Sequence, residues 1–286
     1  MKSGVDAQLP RCGRISYTND LPVYAAFDDG VLTFPGTLVA DVPAALNRAM
    51  LAAELDISPI SSALYPDHAD ELLLLPGICV GAPGPIRSIF CISARELPAL
   101  RDKPIAVTRE SLSARTLMRI ICRVWYGFDP TLIESDDPLA AYVTDGSPCL
   151  LIGDKAVDAA ESVPPGNVYD LGELWRALAG CGTVFAVWAV RTEYARRSPE
   201  ATAAVAGALG ASLAWGLENI AEIARRAQVV HPHRDGFYTE YYRDLNFTLN
   251  EEACAALATF FAKGHAAGVF SQAPALRFFE PVAQGV

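Results

Sequence analysis

Short apolar runs alternate with helix-like segments in two successive series, and no other pattern in this chain limits its fold as strongly. The runs that predict strands are 14–16, 32–39, 55–60, 72–75, 105–107, 131–134 and 149–152. The segments that predict helices are 22–27, 43 to about 54, a turn from 63, 113–126 and 138–143. Such alternation predicts an α/β fold with parallel sheets covered by helices.

Two strand-like segments, 88–93 and 184–190, separate the two series from each other and from an Ala-rich helical region after Pro199. The chain is therefore expected to build one lobe, cross to a second, and return. We expect the first lobe to comprise 1–92 and 190–286, and the second to comprise 93–189. The cleft between two such lobes is the default place for a ligand.

Composition narrows the class of partner. The 286 residues carry 23 Lys and Arg against 33 Asp and Glu, a formal net charge of −10, which disfavours nucleic acid and anionic membranes as partners. The first ten residues hold no apolar stretch typical of a signal peptide, and no run reaches the length of a membrane span, so a cytoplasmic protein is expected. Seven cysteines without a C-x-x-C pair favour reduced, mostly buried thiols.

Familiar catalytic signatures are missing from the sequence. It contains no G-x-G-x-x-G, no G-x-x-x-x-G-K-[ST], no G-x-S-x-G and no H-E-x-x-H. Of the four histidines, His231 and His233 stand two residues apart in a polar stretch between helices, which favours exposed loop residues over metal ligands. No metal site is predicted.

Asn19 follows the first predicted strand, within Tyr17-Thr18-Asn19-Asp20-Leu21-Pro22. An amide at a strand end can donate to one ligand group and accept from another. An Asx residue before a proline also commonly caps a turn, and the residues alone favour this second interpretation.

Small hydroxyl residues stand where helices are predicted to begin. Ser61 and Ser62 follow the third strand of the first series, and Ser111 and Ser113 open the first helix of the second. Each pair can be explained as helix capping. Two such pairs at equivalent places in two lobes would also suit a ligand with two carboxylates, because helix N-termini bind anions without net positive charge.

Three further positions adjoin the predicted cleft. Arg87 and Ser88 lie at the first crossover, where Ser88 can face a ligand or make a local hydrogen bond, and Arg87 can pair with a ligand carboxylate or with a neighbouring Asp or Glu. Gly153 and Asp154 follow the buried run 149–152, where glycine permits close approach of the backbone and Asp154 can also cap a helix.

At these residues the chain resembles the chorismate dehydratase family of the futalosine route to menaquinone. The matching segments are GRISYTNDLP at 13–22, ELDISPISS at 54–62, GPIRS at 84–88, LIGDKA at 151–156, YDLGELW at 169–175 and VFAVW at 184–188. They follow the family's order and spacing from about residue 11 to 270.

The resemblance implies a two-lobed fold like the type II periplasmic binding proteins, with the ligand cleft between the lobes. It implies loss of water from chorismate to give 3-[(1-carboxyvinyl)oxy]benzoate, with no cofactor or metal, by an elimination in which the substrate's own enolpyruvyl carboxylate takes the proton. Asn19 and Ser88 would be the catalytic residues. The remaining predicted positions would bind the dianionic substrate: Ser61, Ser62, Arg87, Ser111, Ser113, Gly153 and Asp154.

The chain departs from the family pattern at Thr18, Arg87, Ala114, Gly182 and Thr183, and all five are expected to line the pocket. A non-catalytic binding protein or sensor for an aromatic or enolpyruvyl carboxylate is the main alternative. The related dihydroxynaphthoate synthases rank lower, because their Ser-Pro-Cys-Pro-Asn-Asp opening is replaced here by Ile15-Ser16-Tyr17-Thr18-Asn19. The Ala-rich helices after Pro199 could form a subunit contact, so a homodimer is one of the expected alternatives for the oligomeric state.

Overall fold

The computed structural model describes residues 9–280 and contains two five-stranded sheets, each covered by helices. The strands are β1 Arg11–Ile15, β2 Thr37–Asp41, β3 Ile57–Ser61, β4 Leu72–Ala82, β5 Ile89–Ile92, β6 Ile105–Thr108, β7 Leu132–Ser135, β8 Cys149–Ile152, β9 Val168–Asp170 and β10 Thr183–Arg191. The helices are α1 Leu21–Asp28, α2 Pro43–Leu51, α3 Tyr65–His68, α4 Leu112–Trp125, α5 Pro138–Asp145, α6 Gly153–Ser162, α7 Leu171–Ala179, α8 Thr192–Arg197, α9 Pro199–Glu218, α10 Ile220–Val230, α11 Phe237–Asp244 and α12 Glu251–Ala266.

The first sheet has the strand order β2-β1-β3-β10-β4, and the second has the order β7-β6-β8-β5-β9. The alternating strands pair in parallel, as expected, but β10 is antiparallel to β3 and β4, and β5 is antiparallel to β8 and β9. Both sheets are therefore mixed. The expected parallel pairing holds for the alternating strands, whereas the crossing strands are antiparallel because they enter each sheet from the opposite direction.

The crossings lie earlier in the chain than the expected lobe boundaries at 92/93 and 189/190. Strand β5, which precedes the first boundary, pairs only within the second sheet, and β10, most of which precedes the second boundary, pairs within the first sheet. The chain therefore changes sheets in the segments 83–88 and 171–182. An apolar run shows that a strand is buried, but not which sheet it joins.

Local differences are modest. Of the expected strand at 32–39 only residues 37–39 are extended, and the observed strand continues to Asp41. Elements α6, β9 and α7 fill a stretch for which none were predicted. After Pro199 the chain is mainly helical, as expected, although Asn246 and Phe278 form isolated bridges to β4.

A continuous apolar core joins the two halves. Strand β10 is buried along nearly its whole length, and Trp188 on it donates a hydrogen bond to the hydroxyl of buried Tyr24 on α1. Helix α12 packs against both β10 and α4, so the C-terminal region contacts elements on either side of the cleft. All seven cysteines are free, and five are buried. Within residues 9–280, no helix combines the length and apolar character that crossing a membrane would require.

Candidate functional site

A cavity, partly open to solvent, lies where the ends of β1 and β3 face the N-termini of α4 and α6. Both halves of the chain and the crossover between them contribute to it. The lining residues are Ile15, Tyr17, Asn19, Pro43, Ser61, Val80, Ile86, Ser88, Ile89, Ser111, Ser113, Ile152, Gly153, Phe185 and Ala186. Six of the nine predicted site residues are in this set, namely Asn19, Ser61, Ser88, Ser111, Ser113 and Gly153.

Asn19 lies in a 3₁₀ turn, Thr18–Asp20, that directly follows β1. Its amide oxygen is buried and has no hydrogen-bond partner, and α1 begins without a side-chain cap. The turn-cap interpretation was therefore wrong. Because buried polar atoms are nearly always paired, this amide oxygen at the cavity wall is available to accept from a ligand group or a water molecule.

Ser88 is held at the crossover by a strained turn and two partners. Arg87 before it adopts φ +60°, and the Asp170 carboxylate accepts hydrogen bonds from the backbone N–H of Ile86 (3.1 Å) and of Arg87 (2.7 Å). The Ser88 hydroxyl accepts a hydrogen bond of 2.8 Å from the Tyr241 hydroxyl and donates a longer, local one of 3.4 Å to the Ile86 carbonyl. The position of the Ser88 oxygen at the cavity is thus set by α11 and by the start of α7.

Ser61 ends β3 and is fixed by Asn47, a buried residue of α2. The Asn47 amide donates to the Ser61 hydroxyl (3.0 Å), and its carbonyl oxygen accepts from the Ser61 backbone N–H (2.9 Å). Both hydrogen bonds are local to the first lobe. They leave the hydroxyl proton of Ser61 free to donate into the cavity.

Ser111 and Ser113 place the start of α4 at the cavity. The Ser111 hydroxyl accepts from the backbone N–H of Ala114 (3.1 Å), so this residue both caps the helix and lines the site. The Ser113 hydroxyl donates to the carbonyl of Phe185 on β10 (2.8 Å) and so ties α4 to the first sheet. The positive end of a 14-residue helix dipole therefore faces the cavity.

Gly153 begins α6 in the left-handed region, at φ +64°, and its N–H donates to the Ser88 carbonyl at 2.8 Å. A Cβ at this position would lie 3.1 Å from Cδ2 of Tyr17, across the cavity. Glycine is thus required both by the backbone conformation and by the close approach of an aromatic ring.

Three predicted site residues do not line the cavity. The Ser62 hydroxyl donates to the Val184 carbonyl (2.7 Å), and the Arg87 guanidinium pairs with Asp244 (2.7 Å). The Asp154 carboxylate accepts hydrogen bonds from the backbone and hydroxyl of Thr18, and thereby joins α6 to the turn after β1. All three side chains bind protein groups.

The departures from the family pattern also lie outside the cavity lining. Thr18 contacts Asp154, Ala114 lies within α4, and Gly182 and Thr183 line a separate surface cleft near Asn246. The expectation that these positions line the pocket was therefore wrong. A Cβ at Gly182 would lie 2.6 Å from the Ala82 carbonyl oxygen, so backbone packing explains this glycine.

The lining is mainly apolar and carries no charged side chain. It has no His, Cys, Asp, Glu, Lys or Arg, and its polar side chains are four serine hydroxyls, one amide and the Tyr17 phenol. Burial, together with a 2.6 Å hydrogen bond to Glu110, raises the Tyr17 pKa far above its usual value, so the phenol stays protonated. The hydrogen bonds from Tyr17 and from Lys155 (2.9 Å) keep the pKa of the Glu110 carboxyl low despite partial burial.

Sequence reasoning missed Tyr17, Asn47 and Tyr241. Tyr238, Tyr241 and Tyr242 stand at i, i+3 and i+4, a spacing that predicts an aromatic helix face, but nothing in it indicates contact with Ser88. Asn47 falls in an otherwise ordinary amphipathic helix. These residues support the site from elements distant in sequence.

Comparisons with known proteins agree on the fold and the family. A family model described as "Menaquinone biosynthesis" matches residues 10–266. The chain is 33% identical over 212 residues to the chorismate dehydratase of Thermus thermophilus, and the match covers 67% of this chain and 74% of that protein.

Solved structures confirm the expected two-lobed fold. A protein from Archaeoglobus fulgidus superposes with a TM-score of 0.71 at 20% identity, over 91% of this chain and 98% of that one. A Candida albicans protein with the generic periplasmic binding protein fold has a TM-score of 0.67 at 13% identity, over 92% and 91%. The alkanesulfonate-binding protein SsuA of Xanthomonas axonopodis has a TM-score of 0.66 at 16% identity, over 94% and 96%. These chains share the architecture, and the match over 10–266 shows that this protein belongs to the menaquinone biosynthesis family.

Proposed function

We propose that this protein is a chorismate dehydratase, a carbon–oxygen lyase that removes water from chorismate to form 3-[(1-carboxyvinyl)oxy]benzoate. The observation that carries the proposal is the uncharged cavity with the unpartnered amide oxygen of Asn19 at its wall and two helix N-termini facing it. The 33% identity to the Thermus thermophilus chorismate dehydratase is the reason for proposing chorismate as the substrate.

A dianion can be held in this cavity without a cationic side chain. The N-terminus of α4, with the Ser111 hydroxyl, would bind one carboxylate through backbone N–H groups and the helix dipole. Ser113, whose hydroxyl donates to the Phe185 carbonyl, would hold this helix start in place. Ser61 and the start of α6 at Gly153 would bind the second carboxylate from two other elements. Ser62, Arg87 and Asp154 would act through their protein contacts, as positioning residues.

The elimination needs a proton acceptor at the ether-bearing ring carbon and a route for the departing hydroxyl. The electron pair of the broken C–H bond forms the new ring double bond while the C–O bond to the hydroxyl breaks. The hydroxyl leaves as water with the proton that was taken from the ring carbon, so the proton acceptor is restored and no electrons pass to an external acceptor. Aromatisation of the ring drives the step forward.

The proton acceptor would be the substrate's enolpyruvyl carboxylate. The described lining residues include no side chain that is a base near neutral pH, and the phenol of Tyr17 is held protonated. In this scheme Asn19 donates its amide N–H to the reacting part of the substrate and accepts with its unpaired oxygen, while Ser88, oriented by Tyr241, hydrogen-bonds to the departing hydroxyl. Fixed donors of this kind orient the reacting groups and stabilise developing charge.

The test is to incubate the purified protein with chorismate and follow the product by absorbance and mass. Asn19→Ala should lower kcat about 100-fold to 1,000-fold, the size expected for one lost charge-stabilising donor. Asn219→Ala is the matched control, because that side chain bonds to the Trp215 carbonyl at the α9 and α10 junction, outside the cavity lining.

Turnover that is lost in Asn19→Ala and kept in Asn219→Ala would support both the reaction and the role of Asn19. Turnover unchanged in Asn19→Ala would overturn that role. If chorismate raises the Tm of the wild-type protein but is not converted, the protein binds the acid without catalysing its dehydration, and the proposal fails.

A further inference from the structure

Two histidines and a carboxylate converge at a point on the surface outside the cavity. Asp158 lies on α6, while His231 and His233 follow α10. Nε2 of His231 is 3.0 Å from Oδ1 of Asp158, and Nε2 of His233 is 4.0 Å from the same oxygen. One ligand atom from each of the three residues lies within 4.8 Å of the others.

His233 is not the exposed loop residue that the sequence favours. Its side chain is only 1% exposed, and neither ring nitrogen has a hydrogen-bond partner. The ring is packed against Phe237 and Tyr238, with centroids 4.7 Å and 5.7 Å away. A buried imidazole without any hydrogen bond is costly, so this ring calls for a partner that the protein's own hydrogen bonds do not provide.

We propose that Asp158, His231 and His233 form a binding site for one divalent transition-metal ion, with zinc as the best match. Imidazole nitrogen and carboxylate oxygen are ordinary zinc ligands, and inward shifts of about 1 Å would bring the three groups to tetrahedral spacing. Glu161 is 3.4 Å from Nδ1 of His233, in a place to orient the ring as carboxylates do for metal-bound histidines. The Asp158 side chain is 54% exposed, so ions reach the site from solvent and the fourth position is open to water.

Such an ion would link α6, in the lobe of the second sheet, to the segment between α10 and α11 in the other lobe. Helix α6 belongs to the lobe of the second sheet and begins at Gly153 in the cavity wall. The histidines precede α11, which packs on α10 and carries Tyr241, the partner of Ser88. The ion would therefore stabilise the arrangement of α6 and α11 without touching the cavity.

The experiment titrates chelator-treated protein with Zn²⁺ by calorimetry and repeats the titration with Co²⁺, whose visible absorption reports its coordination. We expect one ion per chain, tetrahedral Co²⁺ bands and a higher Tm in the presence of Zn²⁺, because a ligand that binds only the folded state stabilises it. His231→Ala and Asp158→Asn alter partly exposed ligands and leave the packed His233 ring in place.

Each ligand variant should weaken Zn²⁺ binding by more than the roughly 10- to 100-fold that is typical when a metal ligand loses its hydrogen-bond partner. His68→Ala is the matched control, because His68 has a similar exposure (28% against 29% for His231) and a carboxylate neighbour, Glu71, but no third ligand. Wild-type protein that binds no Zn²⁺, or variants that bind it as tightly as the wild type, would overturn the proposal.

Discussion

Asn19 and Asp20, which are adjacent in the turn after β1, lie in different environments. Asn19 faces the cavity with an unpaired amide oxygen, whereas Asp20 points into the first lobe and is almost fully buried. One Asp20 oxygen accepts a 3.2 Å hydrogen bond from the Ile15 backbone, and the other has no partner. Burial raises the Asp20 pKa from 3.8 to about 7, against the opposing influence of Arg14. The carboxyl that positions the Asn19 turn is thus neutral in mildly acidic solution.

This raised pKa predicts how stability depends on pH. Between pH 3.8 and about 7 the unfolded chain has released a proton that folded Asp20 still holds, so the free energy of unfolding falls as pH rises through this window. Asp20→Asn keeps an oxygen that can accept from Ile15 and does not ionise. We expect its stability relative to the wild type to improve between pH 4 and pH 8, by up to about 4 kcal/mol.

Denaturant unfolding at a series of pH values measures the effect. Asp70→Asn serves as the control, since that side chain is 99% exposed. A difference between Asp20→Asn and the wild type that stays constant with pH would contradict the raised pKa.

At the scale of elements, helix starts and strand ends build the cavity together. The carboxylate of Asp170 caps α7 by accepting from the N–H groups of Gly172 and Glu173, and the same carboxylate holds the crossover turn before Ser88. Helix α6 begins at a glycine because the backbone there is left-handed (φ +64°) and a Cβ would be crowded against Tyr17. Each contact joins the end of one element to the start of another that is distant in sequence.

Gly153→Ala tests the closeness of this packing. The added methyl group would be forced against Tyr17, and the left-handed backbone would be strained by roughly 1–2 kcal/mol. We expect lower stability and at least about a 10-fold loss of kcat/KM, because displacements near 1 Å at a reacting site can lower rates about 100-fold.

Gly180→Ala is the control that separates the effect of left-handed backbone strain from the effect of crowding against Tyr17. Gly180 ends α7 at φ +73°, and a Cβ there meets no atom within 4 Å. Gly180→Ala should therefore lose stability, as measured by Tm, through strain alone. Gly153→Ala should lose more stability and should be the only one of the two to lose activity on chorismate. Equal activity in both variants would show that the contact with Tyr17 is unimportant.

For the whole molecule, the lobes are joined by polar contacts on either side of the cavity. Tyr17 binds Glu110, Thr18 binds Asp154, and Ser113 binds the Phe185 carbonyl. In each pair one partner lies in the first lobe and the other in the second. These contacts favour a closed arrangement in which the substrate is shielded from water.

Asp154→Ala should shift the protein towards an open arrangement. Losing a hydrogen bond to a charged group weakens closure by roughly 1.5–3 kcal/mol, so we expect KM to rise about 10-fold or more with a smaller change in kcat. Small-angle scattering should show a larger radius of gyration for the ligand-free variant.

Glu134→Ala is the matched control, because Glu134 and its partner Arg115 (2.6 Å) both lie in the second lobe. Its KM and radius of gyration should match the wild type. An unchanged radius of gyration in Asp154→Ala would contradict a role in closure.

Much of this organisation can be predicted from local patterns. The alternation of strands and helices, the hydroxyl residues at helix starts and the polar residues at strand ends all follow from the burial and capping needs of neighbouring residues. For this reason Ser61, Ser88, Ser111, Ser113 and Gly153 could be placed at a cleft from sequence. The same patterns indicated two lobes, although the sheet to which β5 and β10 belong could not be predicted.

The sequence by itself determined the class of fold, the family and most of the polar residues around the cavity, because these depend on periodicity and on motifs read along the chain. Only the tertiary structure decided that Arg87 pairs with Asp244, that the Asn19 oxygen is left without a partner, and that the His233 ring is buried beside Asp158. These outcomes depend on contacts between residues far apart in the chain. Such contacts are selected by packing and hydrogen bonding across the whole molecule, and local spacing contains no record of them.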